Sequence, residues 1–148
     1  MGPDTTNSGL GILSSDLATD TVVKSPNDDR DYRYITLDNA LRVLLVSDST
    51  TDKSAAALAA LRGSYDEPSE RPGLAHFLEH MLFIGTEKYP ELDGYQSFLA
   101  RHGGSSNAYT AGNHTIYFFD VQPSAFDEEL DRFAQFFIAP LLDPNSVS

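Results

Sequence analysis

The sequence contains no cysteine. A chain without cysteine can form neither disulfide bonds nor a thiolate nucleophile, and it can hold a metal only through histidine or carboxylate side chains. Such a composition fits a reducing compartment, so a cytoplasmic location is favoured.

Long apolar runs are missing as well. No stretch approaches the roughly 18 consecutive apolar residues that a membrane-spanning helix needs. Residues 1–6 lack the basic and then apolar layout of a secretory signal. The sequence therefore predicts a soluble chain with no membrane partner.

Positive charge is scarce. Lysine and arginine number 10 against 22 aspartates and glutamates, which gives a formal net charge of -12. Such a surface repels phosphate groups, so we expect no nucleic acid partner. The same field attracts basic peptides, although acidity also serves solubility alone.

The chain of 148 residues falls within the usual size of one domain, and 41% of its residues are hydrophobic, which is enough for a core. Residues 1–31, by contrast, are rich in Ser, Thr, Asp, Asn and Gly and contain only small apolar islands. We expect this segment to be a mobile lead-in and residues 32–148 to hold the folded part.

Hydrophobic periodicity and turn residues predict the elements of the folded part. The predicted strands are 32–37, 41–46, 55–61, 107–110 and 115–121, and the predicted helices are 73–84, 92–102 and a last helix from residue 123. Gly103 and Gly104 suit a left-handed helix C-cap. The order β-β-β-α-α-β-β-α predicts an α+β fold, with helices packed on one side of a mostly antiparallel sheet.

Two features predict the orientation of the last helix. Ser124 can cap its first turn, where acidic residues also suit the helix dipole. An apolar stripe at helical spacing consists of Phe126, Leu130, Phe133 and Phe137. We expect this stripe to pack on the core, with Glu129 and Arg132 pointing elsewhere.

One short segment combines residues that can hold a metal and activate water. His76, Glu79 and His80 occur in the order His-x-x-Glu-His. At about 100° per residue the three side chains project into one arc of a helix. The opposite side of that helix is apolar, and we expect it to be the packing face. Its residues are Leu74, Phe77, Leu78 and Met81.

Two histidines one helical turn apart can bind a single zinc ion through neutral imidazole nitrogens. A catalytic zinc site also keeps a position for a water, whose pKa falls toward about 7. Glu79 lies too close in sequence to bind beside both histidines without strain, but it can reach that water. Its carboxylate could take the water proton during attack on a peptide carbonyl and return it to the leaving amine.

A bare His-x-x-x-His pair has an alternative interpretation, because two histidines can simply face water on an exposed helix. The inverted order His-x-x-Glu-His is a stricter pattern and is a signature of one class of metallopeptidases. The sequence around the motif favours the metallopeptidase.

That surrounding sequence resembles a known family. The segments that carry the resemblance are residues 73–86, 88–90, 102–110 and 130–137, with shorter segments at 24–26 and 51–54. Over about residues 22–145 the chain resembles the pitrilysin and insulin-degrading enzyme (insulinase) family of zinc metallopeptidases, and most of all its insulin-degrading branch.

The resemblance implies a pitrilysin-like metallopeptidase N-terminal domain, present in incomplete form over residues 32–148. It implies a zinc metalloendopeptidase that hydrolyses peptides, with Zn²⁺ as cofactor. His76 and His80 would be the zinc ligands, and Glu79 would be the general base.

The resemblance also implies a substrate-binding strand at Asn107, Ala108 and Tyr109. Its backbone edge would pair with an extended peptide, and Tyr109 would line a side-chain pocket. Edge pairing of this kind gives main-chain affinity with little sequence demand. Judged from its neighbours alone, Asn107 would instead be a turn residue after two glycines and two serines.

In the family, the third zinc ligand is a glutamate on a helix beyond residue 148, and two large halves enclose the substrate. The resemblance therefore implies that the chain needs the remaining domains of a larger chain or a partner subunit, and that residues 1–148 alone are inactive. The alternative is a non-catalytic binding or structural member of the same fold. Such members usually lose motif residues, whereas all three are intact here.

The remaining candidate ligands have other interpretations. His102 precedes the glycine pair at a helix end, where capping is favoured over ligation. His114 lies in a hairpin turn and is expected to face water. Glu128 and Glu129 do not match the position of the family's third ligand.

Overall fold

The computed structural model describes residues 22–143, and their elements follow the predicted order β-β-β-α-α-β-β-α. The strands are β1 (Asp31–Thr36), β2 (Arg42–Ser47), β3 (Ser54–Ala60), β4 (Ser105–Thr110) and β5 (Thr115–Val121), and the helices are α1 (Leu74–Leu82), α2 (Gly94–Arg101) and α3 (Phe126–Ile138). Residues 1–21 of the predicted lead-in lie outside the described residues, as do residues 144–148. The division into a lead-in and a folded part stays a prediction.

The described chain divides into two compact units, with the boundary after Thr51. The first unit contains the predicted hairpin, in which β1 and β2 pair antiparallel. Ala40 turns the chain with a positive φ of 65°, and its N–H donates to the Leu37 carbonyl oxygen at 2.8 Å. Leu44 and Leu45 are both exposed. Because neighbouring strand residues face opposite sides, the hairpin presents apolar side chains on both faces.

The second unit is built on a three-stranded antiparallel sheet in which β5 lies between β3 and β4. Its central strand has one buried face, formed by Thr115, Tyr117, Phe119 and Val121, whereas Phe118 on the other face is exposed. The Ala-rich segment predicted as a strand forms β3, which pairs with β5 along its whole length. This alternation places the core on one side of the sheet.

Helices α2 and α3 cover that buried face. Their core side chains include Phe98 and Leu99 from α2 and Phe133 and Phe136 from α3. Helix α2 ends as predicted, with Gly103 in the left-handed region at φ 63°. The predicted fold class, with helices on one side of an antiparallel sheet, is confirmed.

Two expectations about the last helix are wrong. Ser124 does not cap α3, because residues 123–125 form a separate turn of 3-10 helix and α3 begins after Ala125. Glu129 does not point away from the core but is fully buried, together with Phe133 and Phe136. The buried stripe therefore lies to one side of the predicted stripe, of which Leu130 remains exposed.

The apolar side of α1 also differs from the expectation. Leu74, Phe77 and Leu78 are all more than 40% exposed, and only Met81 of the predicted packing face is buried. The side of α1 that packs is the one that faces β4 and carries Glu79. Among the described residues, no helix combines the length and the apolar character needed to cross a membrane.

Candidate metal and peptide-binding site

The three motif residues converge at one side of α1. The candidate ligand atoms of His76, Glu79 and His80 all lie within 4.8 Å of one another. The Nε2 atoms of the two histidines face each other at 3.0 Å, and their rings are tilted by 52°. Both histidines are exposed, whereas Glu79 is buried. The arrangement follows directly from helical spacing, because residues 76 and 80 lie one turn apart.

The donor set fits a zinc ion. Two nitrogens that bind one tetrahedral zinc at about 2.0–2.1 Å are roughly 3.3 Å apart. The observed 3.0 Å separation of the His76 and His80 Nε2 atoms needs only a small opening to reach that value. At this distance the two Nε2 atoms can form a hydrogen bond only if one of them donates and the other accepts. A zinc ion would instead be bound by both nitrogens in their unprotonated form.

Glu79 is fixed by a contact that the sequence did not predict. The Thr110 hydroxyl of β4 donates a hydrogen bond to Glu79 Oε2. Because this contact joins residues 31 positions apart, only the packing of α1 on β4 creates it. Burial, with a smaller effect of the nearby Glu79 charge, raises the pKa of Tyr117 to about 12, so this phenol stays neutral beside the site.

The predicted peptide-binding residues lie on β4, which is one edge of the three-stranded sheet. Asn107 and Tyr109 face away from the core and are exposed, whereas Ala108 is partly buried. The Asn107 Oδ1 atom accepts a hydrogen bond from the Ala108 N–H at 2.9 Å. The Tyr109 ring contacts the ring of His114 edge-on, with centroids 5.8 Å apart.

An open cavity of about 320 Å³ joins the motif helix to this strand. Its lining comes from α1, from β4 and from the segment between β3 and α1. The lining residues are Ser64, Glu67, Gly73, His76, Glu79, Ala108, Tyr109 and Thr110. The structure therefore brings His76, Glu79, Ala108 and Tyr109 to one space, while Asn107 lies next to it on the strand.

The other candidate ligands lie elsewhere. His102 caps α2 as expected, and its Nδ1 atom lies 2.8 Å from the Phe98 carbonyl oxygen. His114 is partly buried beside Tyr109 rather than simply facing water. Glu128 pairs with Arg132 at 2.8 Å, and Glu129 is in the core. Within residues 22–143, only His76, Glu79 and His80 form a cluster suited to a metal.

Comparisons with known proteins show which family the chain belongs to. The sequence model of the insulinase family, peptidase family M16, matches residues 42–148. The insulin-degrading enzyme of Mus musculus is 57% identical over 124 residues, which are 84% of this chain and 12% of that enzyme. The peroxisomal insulin-degrading enzyme-like 1 of Arabidopsis thaliana is 54% identical over 125 residues, or 84% of this chain and 13% of that protein.

Comparison with solved structures also identifies a peptidase. The crystal structure of pitrilysin matches with a TM-score of 0.83 and 43% sequence identity, over 86% of this chain and 14% of the pitrilysin chain. The chain thus spans about an eighth of the length of the curated relatives it matches. The family model covers most of the chain, and pitrilysin shares its fold at 43% sequence identity. The chain therefore belongs to the insulinase family of metallopeptidases, peptidase family M16.

Proposed function

We propose that this chain is the metal-binding, base-bearing part of a zinc metalloendopeptidase that hydrolyses peptides. The observation that carries the proposal is the single cavity that joins the His-x-x-Glu-His motif to an edge strand. One wall offers a metal-binding group, and the other offers a backbone edge to an extended substrate. A binding module without catalysis would not require a carboxylate held between these two walls.

His76 and His80 would hold the zinc through their Nε2 atoms, which already face each other. When bound there, zinc supplies Lewis acid chemistry, lowering the pKa of a water and polarising a carbonyl oxygen. For this, each histidine must present an unprotonated Nε2, so zinc and protons compete for the pair. The exposure of both imidazoles leaves the pair accessible to the metal from solvent.

Glu79 would act as the general base. Its buried position and the hydrogen bond from Thr110 hold the carboxylate beside the histidines in one orientation. In that position it can accept the proton of the attacking water and then donate it to the amine that leaves. Thr110 would thus hold the base in place without touching the reacting atoms.

The edge of β4 would bind the substrate backbone. A peptide that adds to this edge gains main-chain hydrogen bonds and makes few demands on its own side chains. Tyr109, exposed on the strand beside His114, would contact one substrate side chain. Asn107 and Ala108 would present their backbone groups, and the Asn107 carboxamide would exchange its contact with the Ala108 N–H for contacts to the peptide.

Two histidines do not complete a tetrahedral zinc site. We therefore propose that the third ligand, and the walls that close around a substrate, come from the remaining domains of a longer chain or from a partner subunit. The short span of this chain relative to its relatives supports that view. Residues 1–148 alone are then expected to bind zinc weakly and to lack peptidase activity.

The test has two parts. Equilibrium dialysis of the chain against zinc should show one weak site that is lost in His76→Ala and His80→Ala and kept in His114→Ala. In a version extended past residue 148, Glu79→Gln should keep zinc and lose cleavage of a quenched fluorescent peptide. Zinc binding unaffected by His76→Ala would overturn the metal site, and full turnover by Glu79→Gln would overturn the base. Chelator-sensitive turnover by residues 1–148 alone would overturn only the expected inactivity.

A further inference from the structure

In the segment between β3 and α1, the carboxylate of Glu67 caps the start of helix α1. Glu67 Oε2 accepts a hydrogen bond from the Gly73 N–H at 2.7 Å, and Oε1 accepts one from the Ala75 N–H at 2.8 Å. Gly73 is the N-cap residue of α1 and has no side chain with which to cap the helix. Glu67 therefore supplies, from six and eight residues away, the acceptors that a capping side chain normally provides.

The bound amides lie directly beside the proposed metal ligands. Ala75 precedes His76, and the first intrahelical bond, from the Phe77 N–H to the Gly73 carbonyl oxygen at 2.9 Å, encloses His76. A negative group at this end of the helix is also favoured by the helix dipole. Glu67 thus fixes the turn of α1 that carries the first histidine.

The same segment is tied to the other wall of the cavity. The Ser64 N–H donates to the Ala111 carbonyl oxygen at 3.0 Å, and the Tyr65 N–H donates to the Gly112 carbonyl oxygen at 2.7 Å. Residues 111 and 112 directly follow β4. The segment thus contacts the end of the proposed substrate strand through its first residues and the start of the metal helix through Glu67.

The segment also has internal bonds that keep it rigid. Asp66 accepts hydrogen bonds from the Gly63 N–H at 2.9 Å and from the Arg62 guanidinium at 2.6 Å. Gly63 lies so close to the turn after β4 that a Cβ atom added to it would be 2.2 Å from the Ala111 carbonyl oxygen. The segment contacts the turn after β4 through residues 64 and 65 and the start of α1 through Glu67. The short, closely packed backbone between these residues therefore sets the distance between the two contacts.

From these contacts we propose that Glu67 is a positioning residue, which sets His76 at a fixed place relative to β4. The inference rests on the proposed function, because it matters only if His76 binds metal. Glu67 lines the same cavity as His76. Both of its oxygens are engaged by backbone amides, so its role is to orient α1 rather than to ligate.

The test compares Glu67→Ala and Glu67→Gln with Glu70→Ala, a change at an exposed glutamate of the same segment. Zinc affinity of the chain is measured by titration with zinc chloride, and circular dichroism confirms that each variant is folded. Loss of a residue that orients a metal ligand typically weakens affinity by about 10- to 100-fold. We expect roughly tenfold weaker binding for Glu67→Ala, a smaller loss for Glu67→Gln, which keeps one acceptor, and no change for Glu70→Ala.

A second measurement separates this inference from the proposed function. Amide hydrogen exchange at Gly73 and Ala75 in the metal-free chain should be faster in Glu67→Ala than in the parent and unchanged in Glu70→Ala. If the parent chain binds no zinc, the proposed function fails. Faster exchange in Glu67→Ala would still show that Glu67 holds the first turn of α1 in place. Unchanged exchange, or unchanged zinc affinity in folded Glu67→Ala and Glu67→Gln, overturns the inference. If Glu67→Ala does not fold, Glu67→Gln decides in the same way.

Discussion

Glu129 is a fully buried acid in the core of the second unit. Among the described residues, neither of its oxygens makes a hydrogen bond of ordinary geometry, and the same is true of the nearby Tyr95 hydroxyl. Burial raises the pKa of Glu129 to about 7, although Tyr95 and Arg132 partly oppose the effect. Below about pH 7 the folded chain therefore favours the neutral form of this carboxyl group.

This carboxyl group makes stability depend on pH. Between the usual pKa of 4.5 and the folded value of about 7, the folded chain holds a proton that the unfolded chain has released. The contribution is thus fully present below about pH 4.5 and is lost as the pH rises through about 7, by at most roughly 3 kcal/mol. We expect Glu129→Gln to flatten this pH dependence and to raise the free energy of unfolding at pH 8 by about 1–3 kcal/mol, measured by urea denaturation.

The neighbouring Glu128→Gln is the matched control, because Glu128 is exposed and only pairs with Arg132 at the surface. It should keep most of the pH dependence between pH 4.5 and 7, because the Glu128 charge makes only the smallest contribution to the raised pKa of Glu129. Equal pH profiles for the parent and Glu129→Gln would contradict the assignment to Glu129.

Thr110 allows a second test at the scale of one residue. Its hydroxyl donates to the buried carboxylate of Glu79. Replacing it in Thr110→Val keeps the shape of the side chain but removes the donor, so Glu79 loses a hydrogen bond in a buried position. We expect a loss of about 1–3 kcal/mol in the free energy of unfolding at pH 7, while Thr110→Ser, which keeps the hydroxyl, should lose less. The two variants unfolding at the same urea concentration would argue against a stabilising role for this bond.

At the scale of elements, we expect opposite effects from substituting the two glycines at the ends of α2, Gly94 at its start and Gly103 just after it. Gly103 follows the helix in the left-handed region, where a Cβ is unfavourable. Gly94 is the first residue of the helix, and an added Cβ would lie 3.2 Å from both the Cβ and the Oε2 atom of Glu91, a close contact that a small shift of this exposed loop residue would relieve. We expect Gly103→Ala to lower the free energy of unfolding by about 1 kcal/mol and Gly94→Ala to leave it unchanged or raise it. Thermal unfolding of both variants would check the difference in sign.

The order of elements could be predicted from the sequence because it depends on local patterns. Alternating residues in β5 and the glycine pair after α2 each act over a few positions, and both appear in the structure as expected. The orientation of α3 could not be predicted in the same way. A rule that assigns charged residues to solvent places Glu129 outside, and only the fold reveals that it lies in the core.

In the candidate site, too, some features follow from local sequence patterns and others only from the fold. His76, Glu79 and His80 meet because of helical spacing, which can be read from the sequence, and their roles stay predictions. Thr110 and Glu67 reach the site across 31 residues and through backbone amides, respectively, and no sequence pattern marks such contacts. The exposure of Phe77 could not be predicted from the sequence either, because helical periodicity identifies an apolar face but not which element covers it.

On the scale of the whole molecule, the two units differ in how their strands are protected. Strand β5 is paired on both sides and has a buried face, whereas β1 and β2 pair only with each other among the described residues. Two-stranded hairpins are marginally stable in water. We expect the amides of Phe119 and Val121 to exchange at least tenfold more slowly than those of β2, as measured by hydrogen exchange and mass spectrometry. Equal protection of both strands would show that the hairpin is stabilised by more than its own pairing.

Strand β4 forms an edge of its sheet in the described part of the chain. Any strand can pair with such an edge, including β4 of another copy, which would lead to self-association and aggregation. Native proteins limit this hazard with charge, and a net charge of -12 makes two copies repel each other. High salt screens that repulsion, so self-association through the edge of β4 should increase with the ionic strength of the solution.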